Sequence, residues 1–162
     1  MYVTFTRTAK RRYRVSVDGP GIESAYKDPA PGYDERLPHD TAHFIVENEL
    51  AISGGLFGQL AAGGTANTFR SDNTKKQKKR QKRGTSMLKA NRDDALFSEH
   101  AVYAAQSRWN NDDIIPETKI AASDIKRICE KFEEFARRWS ELPVGGSIVL
   151  TWNHPTRPKI KR

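Results

Sequence analysis

Near its C-terminal end the chain carries a strand-like run, 147-SIVLTW-152, with no similar run next to it. The run is short, apolar and partly β-branched, and a lone strand has no stability without a partner along its edge. The other strand patterns lie at the opposite end of the chain. Val3 and Phe5 alternate with Tyr2, Thr4 and Thr6, and Tyr13, Val15 and Val17 alternate with Arg14 and Ser16. Residues Thr8 to Arg12 supply the turn of a β-hairpin, and 18-DGPG-21 stops its second strand. The chain therefore has to close on itself, with the C-terminal strand joining the N-terminal hairpin in a small sheet and about three helices packed against it. This predicts an α+β fold, in which 147–152 is expected as a central, covered strand.

Between these ends the apolar spacing is helical. The clearest helix has Ser123 as a candidate N-cap, followed by Ile125, Ile128, Phe132, Phe135 and Trp139 at helical intervals. Cys129 lies beside that stripe and reads as a small buried hydrophobe rather than a nucleophile. Asp93 and Asp94 open a second helix reaching about Trp109, with Leu96, Phe97, Ala101, Ala104 and Ala105 as its apolar side. Pro38 suits the first turn of a third helix over 38–52, which 53-SGG-55 ends. The glycine-flanked 56-LFGQLAAGG-64 fits a helical turn packed on that helix or a lid beside it. It lacks the spacing of a phosphate-binding loop. The three prolines of 28-DPAPGYDERLP-38 make a loop.

A length of 162 residues fits a single domain spanning 1–162. Within it, 65–92 is polar and aperiodic and is expected to be a mobile basic insertion, and 155–162 a basic tail. No apolar run reaches the roughly 18 residues of a membrane span. The start MYVTFTRTAKRR lacks the order of a signal peptide, and the single cysteine suits a reducing compartment, so a cytoplasmic protein is expected. The net charge of +8 is unevenly spread. The run 75-KKQKKRQKR-83 and the tail contribute eleven positive charges and no acid, which leaves the rest of the chain net negative.

The helix over 38–52 holds the densest chemistry: His39, Asp40, His43 and Glu47 within nine residues. With His39 at 0°, His43 falls near 40° and Glu47 near 80°, bordering the face formed by Ala42, Ile45, Val46 and Leu50. Polar groups on such a border need partners, because an unpaired buried one costs a few kcal/mol. A zinc ion or another divalent metal would satisfy His39, His43 and Glu47 together. It would form an open sphere able to activate water for hydrolysis or to polarise a carbonyl, with Asp40 as an assisting base. His100, on the neighbouring helix, is the candidate fourth ligand. Two other readings stand beside this one: a hydrogen-bonded polar seam and a metal-free active site.

H-D-x-x-H resembles the H-E-x-x-H motif of zinc metalloproteases, with Asp40 in the place of the glutamate. It is also similar to the H-D-x-x-H zinc motif of the ubiquinone-biosynthesis scaffold family, where a glutamate follows about twelve residues on. Here that neighbourhood is Gly54–Gly55, so the match covers His39, Asp40 and His43. More broadly, 37-LPHDTAHFIVENEL-50 followed by 54-GGLFGQLAAGG-64 resembles a small uncharacterised bacterial family, which implies a bacterial origin and no activity.

The basic run offers a second function. Lys75, Lys76, Lys78, Lys79, Arg80, Lys82 and Arg83 would bind nucleic-acid phosphates by counterion release, without reading sequence. No aromatic residue is interleaved for base stacking. The alternatives are a solvated insertion, contact with an anionic membrane surface, or a non-catalytic interaction module built on the histidine helix.

Overall fold

A computed structural model describes residues 1–64 and 68–155. The chain forms β1 (Tyr2–Ala9), β2 (Arg12–Asp18), β3 (Ala25–Ala30), α1 (His39–Glu49), α2 (Leu56–Ala61), α3 (Thr74–Ala90), α4 (Arg92–Asn110), α5 (Ala122–Ser140) and β4 (Ser147–Thr151). The sheet order is β3-β2-β1-β4 and every pairing is antiparallel. The fold is α+β, as expected, with the C-terminal strand completing the sheet begun by the hairpin.

The period-2 pattern of the hairpin explains which face is covered. Val3, Phe5, Tyr13, Val15 and Val17 are all buried, while Thr4, Thr6, Arg14 and Ser16 are partly exposed on the other side. On the buried face, the Phe5 ring meets Phe44 of α1 and Phe135 of α5 edge-on, and Tyr13 meets Trp139 of α5 in the same way. The stripe Ile125, Ile128, Phe132, Phe135 and Trp139 is the buried side of α5. Among the described residues, no helix is long and apolar enough to cross a membrane.

Several expectations need correcting. The run at 147–152 is an edge strand, because β1 is already flanked by β2 on its other side; Val149 points outward and is 53% exposed. Trp152, just past β4, is buried, and its backbone N–H donates to the Met1 carbonyl. The stretch expected as a loop begins inside β3, where Pro29 is tolerated because β3 is the other edge of the sheet. Residues 74–90, within the expected mobile insertion, form the helix α3. The backbone before α5 places Ala121, not Ser123, at the N-cap.

The apolar side of α4 holds Ala101, Ala104 and Ala105 as expected but differs at its start. Leu96 and Phe97 face solvent, and the buried residues are Ser98, Ala101, Val102, Ala104, Ala105 and Ser107. Small side chains on that face let α4 lie close to α1. Close approach satisfies buried groups on α1 that no bulky apolar residue could reach.

Candidate functional site

Asp40, Thr41, His43 and Glu47 of α1 point into the body of the protein, and most of them have identifiable partners. Asp40 is 1% exposed. Its Oδ2 accepts a hydrogen bond from Lys27 Nζ of β3 at 2.9 Å, and its Oδ1 lies 3.5 Å from His39 Nδ1. Lys27 is itself buried, with Nζ 5.1 Å from the centre of the Phe69 ring. Burial by itself would raise the Asp40 pKa, but His39 and Lys27 outweigh it and hold the carboxyl below its ordinary value. Tyr13 completes this group: its hydroxyl donates to the Pro31 carbonyl at 2.7 Å and lies 3.4 Å from the Asp40 backbone N–H. Burial, reinforced by the Asp40 charge, pushes the Tyr13 phenol well above its usual value.

Glu47 forms a second group one helical turn past His43. Its carboxylate is fully buried and accepts from the backbone N–H groups of Leu56 (2.8 Å), Phe57 (2.7 Å) and Gly58 (3.4 Å). Ser98 Oγ of α4 donates to the same carboxylate at 2.8 Å. Glu47 is therefore a side-chain cap for α2 supplied by another helix, satisfying N–H groups that a helix start leaves without partners. The glycines of 54-GGLFG-58 make this possible, since a β-carbon at Gly55 would collide with the Glu47 carboxylate. Asp94 Oδ2 of α4 accepts from Gly54 N–H at 3.1 Å and fixes the same turn.

His43 lies between these groups. Its Nδ1 is 3.4 Å from Ser98 Oγ and 3.7 Å from Glu47 Oε1, and its Nε2 is 3.6 Å from Glu99 Oε2. Burial would lower its pKa, but Glu47, then Glu99 and Asp40, raise it above the ordinary histidine value. The His39 and His43 rings are 4.7 Å apart.

The expected metal set is thus gathered only in part. His39 and His43 are adjacent, whereas both Glu47 oxygens are taken up by α2 and Ser98. His100 is exposed, and the residues of α4 that reach His43 are its neighbours Ser98 and Glu99. Among the described residues, no group of three or more His, Cys, Asp or Glu side chains is placed to hold a metal ion as it stands. Asp40, expected as an assisting base, is enclosed and bound to Lys27. Lys27, Tyr13, Ser98 and Glu99 escaped sequence reading because their tie to α1 is purely tertiary. The glycine pair at 54–55 was the one local trace of the Glu47 contact.

The basic run behaves differently. Within α3, Lys78, Lys79, Lys82 and Arg83 are exposed, while Arg80 is buried. The Arg80 guanidinium donates to the carbonyls of Glu23 (2.6 Å) and Gly64 (3.0 Å). Arg80, expected as a phosphate contact, is instead the anchor that fastens α3 to the body. The side chains of Lys75 and Lys76 lie outside the described residues, as does the tail from 156 onward. The chain matches no family model, no curated protein and no solved structure.

Proposed function

We propose that the protein binds nucleic acid through the outer face of α3, gripping phosphates without reading bases. The observation that carries this reading is the division of labour within the helix. Arg80 points inward and fixes the orientation of α3, which turns Lys78, Lys79, Lys82 and Arg83 toward solvent in two columns four residues apart.

A helix meant only to be solvated would mix its charges. Thr74–Ala90 has eight basic residues and no acidic one, so its i,i+4 neighbours repel. Its first turn also carries cations where the helix dipole favours anions. Such local conflicts are kept where a partner resolves them, and a polyphosphate supplies the missing negative charge. The exposed side chains of α3 between Lys78 and Ser86 include no apolar one that would enter a membrane interface. The absence of aromatic residues there points to backbone contact rather than base stacking.

The test is fluorescence anisotropy with labelled duplex DNA and single-stranded RNA over a range of salt. Neutralising four phosphates gives a log–log salt slope of about −3.6 on a duplex and about −2.8 on a single strand. Replacing Lys78, Lys79, Lys82 and Arg83 together with Gln is expected to remove that dependence while leaving the fold intact. Equal binding by this variant would sink the proposal, and so would binding to anionic vesicles but to neither nucleic acid.

A further inference from the structure

We propose that His39 and His43, completed by Glu99, form a binding site for a divalent cation of the kind imidazole favours, zinc foremost. The inference comes from what the hydrogen bonds leave over. Ser98 Oγ spends its proton on Glu47 Oε1, so toward His43 it can only accept. Glu47 can only accept as well. The Nδ1 atom of His43 thus faces two acceptors and must carry a proton. In the neutral ring, that leaves a lone pair on Nε2.

This Nε2 atom is buried and has no hydrogen-bond partner, yet it lies 3.6 Å from the Glu99 carboxylate. A lone pair facing a carboxylate is unfavourable unless something positive lies between them, either a second ring proton or a metal cation that takes that proton's place. The same logic holds for His39, whose Nδ1 faces the acceptor-only Asp40 at 3.5 Å. In both rings Nδ1 is directed at a carboxylate, and in His43 the Nε2 atom is left without a hydrogen-bond partner. That is the outer arrangement in which metal-binding imidazoles are commonly held.

No three ligands meet at one point as the side chains stand. The site requires His39 and Glu99 to turn toward the fixed His43. Their side chains are 51% and 68% exposed, which leaves room to rotate, while the His43 side chain is 4% exposed. Two imidazoles and one carboxylate leave a fourth position for water. Borderline cations such as zinc suit this set better than calcium or magnesium, which prefer oxygen. In this arrangement Asp40 and Glu47 are positioning residues and not ligands.

The experiment uses untagged full-length protein, stripped with a chelator and titrated with Zn²⁺ by calorimetry and with Co²⁺ by visible absorbance. One ion per chain is expected, with cobalt bands of the four-coordinate kind. His39→Ala and Glu99→Gln alter exposed side chains, so circular dichroism should show both folded. Each should weaken binding by more than the roughly 10–100-fold typical of losing an outer partner. His100→Ala should bind as the parent does. Absence of binding in the folded parent would overturn the proposal. So would binding that survives His39→Ala and Glu99→Gln, or that is lost with His100→Ala.

Discussion

Two helices of this protein are crowded with polar residues, and they settle their charges in opposite ways. On α1, Asp40 is matched by Lys27 and His39, and Glu47 by three backbone N–H groups and Ser98. On α3, Arg80 alone is drawn inward, and its fellow cations among the described side chains stay outside. Density of charge is therefore a poor guide to use. Whether each charge finds its counterpart within the fold separates a structural device from a surface awaiting a partner.

The largest effect should come from Glu47→Ala, which strips the cap from α2 and leaves buried donors unanswered. A loss of about 3–5 kcal/mol, or outright unfolding, is expected in urea titrations. If this variant were as stable as the parent, α1 would not be the matched helix described here. Arg80→Ala should cost less, about 1–3 kcal/mol, because it removes two hydrogen bonds from a partly buried joint. It should also weaken nucleic-acid binding by loosening the orientation of α3.

The Asp40 pair gives a pH signature. Its folded pKa lies below the unfolded one, so the ionised carboxylate stabilises the fold at pH above the ordinary aspartate value. That contribution is lost as pH falls through the folded value. Asp40→Asn should flatten this acid-side decline in denaturation curves, and an unchanged decline would remove Asp40 from the account of acid sensitivity. Lys82→Gln should have the smallest effect on stability, within about 0.5 kcal/mol of neutral. Its mark should be a salt slope shallower by about one in nucleic-acid titrations.

The parts of the fold legible in the sequence were those whose signal is local. The alternation in β1 and β2 and the stripe on α5 each report a buried face, and the isolated β4 run needed the hairpin as partner. β3 was hidden because 25-AYKDPA-30 mixes Lys, Asp and Pro, and its place depends on hydrogen bonds lent by β2. On α4 the alanines of the buried face are legible, but Leu96 and Phe97, which outweigh alanine and serine on any apolar scale, face solvent. The requirement there was a close approach to α1, which small residues meet. For the candidate sites, the crowding of α1 was visible but not its resolution, since backbone amides leave no side-chain signature. Nothing in 75-KKQKKRQKR-83 distinguishes Arg80 from its neighbours. Its burial is decided by where the carbonyls of Glu23 and Gly64 happen to lie.

The pairing of β1 with β4 also bears on biosynthesis. Thr6 Oγ1 and Ser147 Oγ are 2.8 Å apart across this pairing, yet 141 residues apart in the chain. While the chain is being made, β2 can cover one edge of β1 within moments, but the other edge stays open until Ser147–Thr151 have left the ribosome. Until then the nascent protein displays an unpaired strand edge, the kind of surface to which other chains adhere. Closure of the sheet joins Thr6 to Ser147, 141 residues further along the chain. Such long-range pairing sets a slow folding rate and leaves an interval in which chaperones can act.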